Sequence, residues 1–599
     1  MGEILDGQHH VIVAAHHLVR ALEANKHLSN DMRRLLGDLD IHLSTMIRLN
    51  EGEAENNREI EDRLDSAHHT IMSLHSKIWD SSPVVVMEYL QAVAEVQRLT
   101  EDLRNRPLNR SNRNKELFDR SQSVLQTAMD RLQDELIHIL VQNKQCFEHP
   151  IYEESIVSNE DDSVENAERS SSSETDEYVM DLIHPDVIPQ IKSIADIMFA
   201  SGYDHEFRQA FVGFWRDTLA EYMTILDIEQ FSIEDVLQME WRHLNSIIRK
   251  WRFAMKSIIG VYLTSAKRLF DQVLGEYGDI SLTCLIEASK GPVFSLLNFG
   301  HAVLIGPHRP EWLFCLLDMY EVLAALIPDV DALFPEEIGS FVRTEFHELF
   351  TRLGDSATLI FKELGNHVAS CSSTTPFANG GIHPLTKYVM NYILCLAEYG
   401  DTLDLLLRAQ DDVRRDIPRH LQSLTSILEA NLDKKSNLYR DCSLKHIFMM
   451  NNIHYMVQKI DDSKIGHYFG DDWIRSHIVK FRQHAMCYER VTWNSILILL
   501  RDDGKTGKAT LKARCQAFTA AFEGVYKNQT RWWVPDFRLR EDLRISASKT
   551  VIHAYRNFVS KISNSIGEKH IKYTEQELGI YILDLLEGSS KSLNHSQKR

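Results

Sequence analysis

Between Pro189 and Pro292 the chain runs for about a hundred residues without proline, and that interval governs what it can fold into. A backbone without proline keeps every helical donor. Within the interval, Ser232-Ile233-Glu234-Asp235 carries an N-cap pattern. Val236, Met239, Trp241, Leu244, Ile248, Trp251, Met255, Ile258, Tyr262, Ala266, Leu269 and Val273 follow at mostly three- and four-residue steps. The spacing predicts one helix of roughly 40 residues, about 60 Å long at 1.5 Å per residue. A single compact globule cannot cover such a helix, so the pattern points to a rod of stacked bundles.

The flanking segments carry the same period. From His9 to about Phe147 four helical segments are expected, with breaks near Gly52, Pro83 and Pro107 to Asn114. The first holds Val11, Ala14, Ala15, Leu18, Leu22, Leu28, Met32, Leu35, Leu39, Leu43 and Met46. That is a seam seeking partner helices, either the chain's own or those of another chain. Residues 148–181 contain Glu153-Glu154, Glu160-Asp161-Asp162, Ser170 to Ser173 and one basic residue, Arg169, and read as a disordered acidic linker whose serines could accept phosphate. Pro292, Pro307, Pro310, Pro328 and Pro335 mark shorter helices, and Thr374 to Gly381 reads as a loop. Helical spacing resumes at Pro384, strand-like alternation is absent, and the fold class is all-α.

Composition narrows the function. The formal net charge of −20 over 599 residues excludes a general nucleic-acid binder. Eight scattered cysteines and an N-terminus without a secretory signal point to a reducing, cytosolic setting. Apolar runs such as Leu313 to Ile327 are interrupted by Asp318 and Glu321 and fall short of the ~20 residues that span a bilayer, so membrane contact is expected to be peripheral. Asp411-Asp412-Val413-Arg414-Arg415-Asp416 misses the Asp-Asp-x-x-Asp spacing of a terpene-synthase magnesium site. Gly504-Lys505-Thr506-Gly507-Lys508 lacks the earlier glycine of a phosphate loop, and H-E-x-x-H and G-x-S-x-G are absent. No catalytic residue, metal ligand or cofactor is expected, and the protein reads as a non-enzyme.

One end of the chain is different. From Arg501 to Lys561 stand 13 Lys/Arg against 6 Asp/Glu. Arg538, Lys549 and Arg556, spaced by 11 and 7 residues, share a face on an unbroken helix. Beyond them, Lys569-His570-Ile571-Lys572-Tyr573 precedes Thr574-Glu575-Gln576-Glu577, a capping-box pattern that starts a last short helix. Two lysines beside a helix N-terminus make an expected anion-facing corner.

Several stretches together resemble the Exo-seventy subunit of the exocyst, the vesicle-tethering complex, and its plant-type members in particular. They include Gly202-Tyr203 with Glu206-Phe207-Arg208-Gln209, Ile233 to Trp241, Gly381 to Tyr392, Met450 to Met456, Trp493, Phe522-Glu523, Leu539-Arg540, Leu543-Arg544 and Ala554-Tyr555-Arg556 with Phe558. The resemblance implies an elongated rod of consecutive antiparallel helical bundles. It also implies binding as the activity, with N-terminal helices pairing with other exocyst subunits and the C-terminal end binding phosphoinositide. Lys569 to Tyr573 stands where the family has a Lys-Tyr-Ile-Lys-Tyr-like motif, with both lysines present and His570 in place of the usual Tyr.

The expected organisation is therefore an assembly region over residues 1–147, the linker 148–181, a C-terminal rod over 182–588 with a membrane-facing tip, and a disordered tail 589–599. The expected phosphoinositide site is Lys569 and Lys572, aided by Arg538, Lys549 and Arg556. Partners would be other exocyst subunits, an anionic phosphoinositide membrane and small GTPases, with no nucleic acid. The location would be cytoplasm and the inner face of the plasma membrane or secretory vesicles. The alternative is a helical regulatory scaffold for small GTPases or autophagy-related traffic without direct lipid binding.

Overall fold

A computed structural model of the chain describes residues 3–24, 29–74, 77–106, 112–145, 180–226, 228, 231–306, 309–335, 337–409, 417–501, 507–567 and 570–589. Twenty α-helices lie among the described residues and carry the fold. Among the described residues there is no strand, and the only β-type pairing is two isolated bridges. The all-α reading holds.

The first four helices are α1 (Glu3–Glu23), α2 (Asn30–Ser73), α3 (Pro83–Arg104) and α4 (Asn112–Asn143). The break expected near Gly52 lies elsewhere, because α2 runs straight through that glycine and the chain turns before Ser29. Ser29 accepts from the Met32 N–H as an N-cap, which starts α2 there. One interior glycine costs about 1 kcal/mol, too little to end a helix of 44 residues. The predicted seam is thus folded into a hairpin of α1 on α2.

After α4 the chain returns beside its own departure point. Gln145 N–H donates to Leu182 O at 3.1 Å and His184 N–H to Asn143 O at 3.2 Å. The two ends of the acidic segment are therefore neighbours. Residues 146–179, which carry nearly all of the expected linker, and residues 590–599 of the expected tail lie outside the described residues.

Next come α5 (Ile188–Ala200), α6 (Asp204–Ile225), α7 (Ile233–Gln238), α8 (Trp241–Met255) and α9 (Thr264–Leu274), with a π-helical segment Lys256–Leu263 joining α8 to α9. The single long helix expected from Ser232 is broken. Ser232 and Asp235 form the predicted capping box, but α7 ends after six residues, and Met239 and Glu240 are extended at ψ 138° and 144°. The break falls at the only two-residue step in the apolar series, Met239 to Trp241. From Trp241 the helix then continues to Leu274, and the wider π turn lets Ile258, Ile259, Tyr262 and Leu263 all bury.

The remaining helices are α10 (Ile280–Ile305), α11 (Trp312–Leu333), α12 (Ser340–Ser370), α13 (Pro384–Ala397), α14 (Gly400–Ala409), α15 (Ile417–Ser436), α16 (Cys442–Asp461), α17 (Gly466–Leu499), α18 (Lys508–Gln529), α19 (Phe537–Ile566) and α20 (Glu575–Leu583). Helix α10 is long and apolar enough to cross a membrane by length and composition, but more than half of its most apolar stretch is buried inside the fold, as in a core helix.

Two compact units result. One comprises Met1–His301 with Ala325–Phe346, and the other Ala302–Ala324 with His347–Arg599. In the first, α4 packs on α5 and α6, so segments on both sides of the acidic stretch share one unit. In the second, α16 to α20 enclose a core around Tyr488, Trp493, Phe518, Phe522, Val551, Tyr555 and Ile562.

Within that second unit, Asn451 and Asn452 on α16 fasten the loop before α13. Asn452 Oδ1 accepts from His383 N–H at 2.9 Å and from Thr386 Oγ1 at 2.6 Å, and its amide donates to Phe448 O at 2.8 Å. Asn451 donates to Gly380 O and Trp533 O at 2.7 and 2.9 Å. The loop needs such bonds because Asn379 and Gly380 hold positive φ angles of 60° and 70°.

Candidate functional site

Helix α19 is the frame of the basic end. Leu543, Ala547, Val551, Tyr555, Phe558 and Ile562 bury one side of it at three- and four-residue steps. That burial turns Arg538, Lys549 and Arg556 outward, and all three are exposed on one unbroken helix. The expected common face is present. It is a stripe, since Arg538 and Arg556 stand about 27 Å apart along the axis. Arg538 and Lys549 make no ion pair with any described residue. Arg556 does, its Nε lying 2.7 Å from Glu575 Oε2.

Helix α20 begins with the predicted capping box. Glu577 N–H donates to Thr574 Oγ1 at 3.2 Å, and Thr574 N–H donates to Glu577 Oε2 at 2.7 Å. The expected anion corner differs in one respect. The first turn of α20 carries its own acids, Glu575 and Glu577, which already serve the positive end of the helix.

Lys572 also has a carboxylate. Its Nζ lies 2.6 Å from Glu523 Oε1, an oxygen that also accepts the Tyr573 hydroxyl at 2.7 Å. Tyr573 is buried and takes its place in the core, where Tyr555 Oη donates to its carbonyl at 2.7 Å. Burial and the adjacent Glu523 push the Tyr573 phenol up, so it stays a neutral donor. The Lys572 ammonium also sits 5.4 Å from the Tyr573 ring centroid. Lys569 lies outside the described residues, whereas exposed His570 is tied by its carbonyl, which accepts the Cys515 thiol at 3.1 Å.

The structure brings Lys572 and Arg556 to the same end through Tyr555 and Glu575, and leaves Arg538 at the far end of α19. It also adds cations that the helical-face argument passed over. Arg501, at the end of α17, and Lys561, on α19, line a groove of about 440 Å³ together with Thr550, His553 and Asn557. Lys508 and Lys512 are exposed in the opening turns of α18. The signal for all four was the local charge excess, which counts residues but does not say which ones converge.

The other end of the chain presents the opposite chemistry. Hairpin α1–α2 is fastened through buried Val19 and through His16, whose Nε2 lies 2.9 Å from Asp40 Oδ1. Outside that contact, Val11, Leu18 and Leu22 on α1 and Met32, Leu35, Leu39 and Met46 on α2 are 44–67% exposed. These are members of the predicted seam, and no described part of the chain covers them. Leu28 lies outside the described residues.

Sequence comparison identifies the origin of this arrangement. Two family models match: the C-terminal model of the Exo70 exocyst complex subunit over residues 249–584, and the N-terminal model of exocyst complex component Exo70 over residues 63–142. The chain belongs to the Exo70 family of exocyst subunits. It is 42% identical to exocyst complex component EXO70E2 of Arabidopsis thaliana over 98% of each chain, and 32% identical to EXO70B2 of the same plant over 86% of each. Its fold is similar to that of Exo70 from S. cerevisiae, with a TM-score of 0.52 over 89% of this chain and 99% of that one at 16% identity. The family is one of structural tethering subunits and is not known as an enzyme family. Among the described residues, no group of three or more His, Cys, Asp or Glu side chains could hold a metal ion.

Proposed function

We propose that this exocyst subunit joins two surfaces. The α1–α2 hairpin docks helices of other exocyst subunits, and the cations of the C-terminal end bind phosphoinositide in a target membrane. The observation that carries the reading is the uncovered seam on α1 and α2, with large apolar residues at heptad-like steps on both helices. Such a face is stable in water once partner helices cover it. The partner class follows from the family, which belongs to a multi-subunit tethering complex.

For the membrane half, the support is the row of Arg538, Lys549 and Arg556, together with Lys572 and Lys569. At about 1 kcal/mol for each cation near an anionic leaflet, such a set gives reversible recruitment, and avidity within a complex strengthens it. Co-sedimentation with phosphoinositide vesicles tests this half. Lys569→Glu plus Lys572→Glu should weaken binding several-fold, and undiminished binding would remove those lysines from the site.

A further inference from the structure

One arc of helix α17 is core at its C-terminal end and surface before it. Past Gly470, which holds a positive φ of 75°, the helix is unbroken to Leu499. At about 100° per residue, Arg475, Val479, Arg482, Met486 and Arg490 fall within an arc of about 80°, and Trp493 continues the same arc. Trp493 is buried in the core that α16 to α20 enclose. Val479 and Met486, in contrast, are 64% and 61% exposed, and exposed Arg482 and Arg490 make no ion pair with any described residue. Of the acids on or beside the arc, Asp472 pairs with Arg475 at 3.1 Å, Asp471 stands at the start of the unbroken stretch, and Glu489 is half-buried. The open part of the arc, from Arg475 to Arg490, is about 22 Å long, or about four helical turns.

We propose that this part of α17 is a docking face for an acidic amphipathic helix of a partner protein. Arginines and apolar residues alternate along it at three- and four-residue steps, so a helix with carboxylates and leucine-like side chains at the same steps meets both. Each guanidinium takes a carboxylate in a charge-assisted pair, while Val479 and Met486 bury against the partner's apolar residues, the methionine adapting to their shape. Charge decides among the possible occupants. A second copy laid antiparallel on the face would match Val479 with Met486 but Arg475 with Arg490, a like-charge contact. A lipid surface fits poorly, because Arg482 lies between Val479 and Met486 in the same arc, and neither apolar side chain enters hydrocarbon without drawing a guanidinium after it. Carboxylates on a helix remove that conflict.

The test titrates the full chain, by fluorescence anisotropy, with a labelled peptide of about 16 residues that carries glutamate and leucine alternating at three- and four-residue steps along one face. An isomer of the same composition, with its glutamates and leucines on opposite faces, is the comparison. Wild type should bind the patterned peptide about fivefold or more tighter than the isomer. Arg482→Glu and Met486→Asp should each weaken binding of the patterned peptide by about fivefold or more, whereas Arg249→Glu, an equal charge change on exposed α8, leaves it within about twofold. Unchanged melting temperatures confirm that the variants fold. Equal affinity for the two isomers, or undiminished binding by both α17 variants, overturns the proposal. Wild-type dimerisation that Met486→Asp abolishes would give the face to a second copy, and sedimentation with phosphatidylserine vesicles that Met486→Asp abolishes would give it to a membrane; either result overturns the proposal as well.

Discussion

Lys572 Nζ and Glu523 Oε1 lie 2.6 Å apart, so the lysine that sequence reasoning assigned to phosphate arrives at the surface already paired. The pair is partly exposed, with side-chain accessibilities of 41% and 32%, and contributes little to stability. Its effect is on availability. Glu523→Gln keeps an acceptor for Tyr573 and removes the competing charge. Phosphoinositide-vesicle affinity should rise about two- to fivefold at fixed salt, with a stability change below about 1 kcal/mol. Vesicle sedimentation and thermal melting of the same variant check both halves, and weaker binding would show that Glu523 positions Lys572 productively.

A histidine pair between α16 and α17 predicts an acid response. His446 Nδ1 and His484 Nδ1 are 3.1 Å apart. Burial, then the neighbouring His446, holds His484 down at about 4, against a partial opposing pull from Asp433 and Glu429. His446 is also depressed, by burial and by Lys445. Between pH 6.5 and about 4 the unfolded chain binds the proton that folded His484 refuses, so stability is full above that window and is lost as pH falls through it. Discounted for partial solvent access, the loss is on the order of 1 kcal/mol. His484→Gln should flatten the melting temperature between pH 6.5 and 5 relative to wild type, and an identical slope would remove the pair from the response.

Asn452 is fully buried and bonded to both the α13 loop and α16. Asn452→Leu leaves the His383 N–H and Thr386 hydroxyl without that acceptor inside the fold. A cost of about 2–4 kcal/mol is expected, read as a fall in the denaturant midpoint of the unfolding step that includes α13 and α16.

Gly52 offers the opposite test. A Cβ there meets nothing within 4 Å, and the residue sits inside helix α2. Gly52→Ala should stabilise α2 by about 0.5–1 kcal/mol, seen as a higher melting temperature; a decrease would mean that the helix does bend at that point.

Helix class, the capping boxes at Ser232 and Thr574 and the shared face of Arg538, Lys549 and Arg556 were all legible in the sequence, because each depends on spacing within one helix. Features that depend on contacts between helices were not. Glu523 on α18 meets Lys572 across 49 residues, and the Arg501–Lys561 groove joins α17 to α19. The Gly52 break was misplaced because a lone glycine is a weak stop, whereas the Ser29 cap is the stronger signal. The step from Met239 to Trp241 was visible as an irregularity, but the surrounding period outvoted it.

Affinity purification of the full chain from cells is the most direct probe of the seam on α1 and α2. Leu35 and Leu39 are 67% and 46% exposed, so Leu35→Asp with Leu39→Asp should leave the fold intact while placing two charges in the proposed interface. Wild type is expected to bring down other exocyst subunits and the double variant to lose them by about tenfold or more, with phosphoinositide-vesicle binding unchanged. Recovery of those subunits at wild-type levels by the double variant would contradict it.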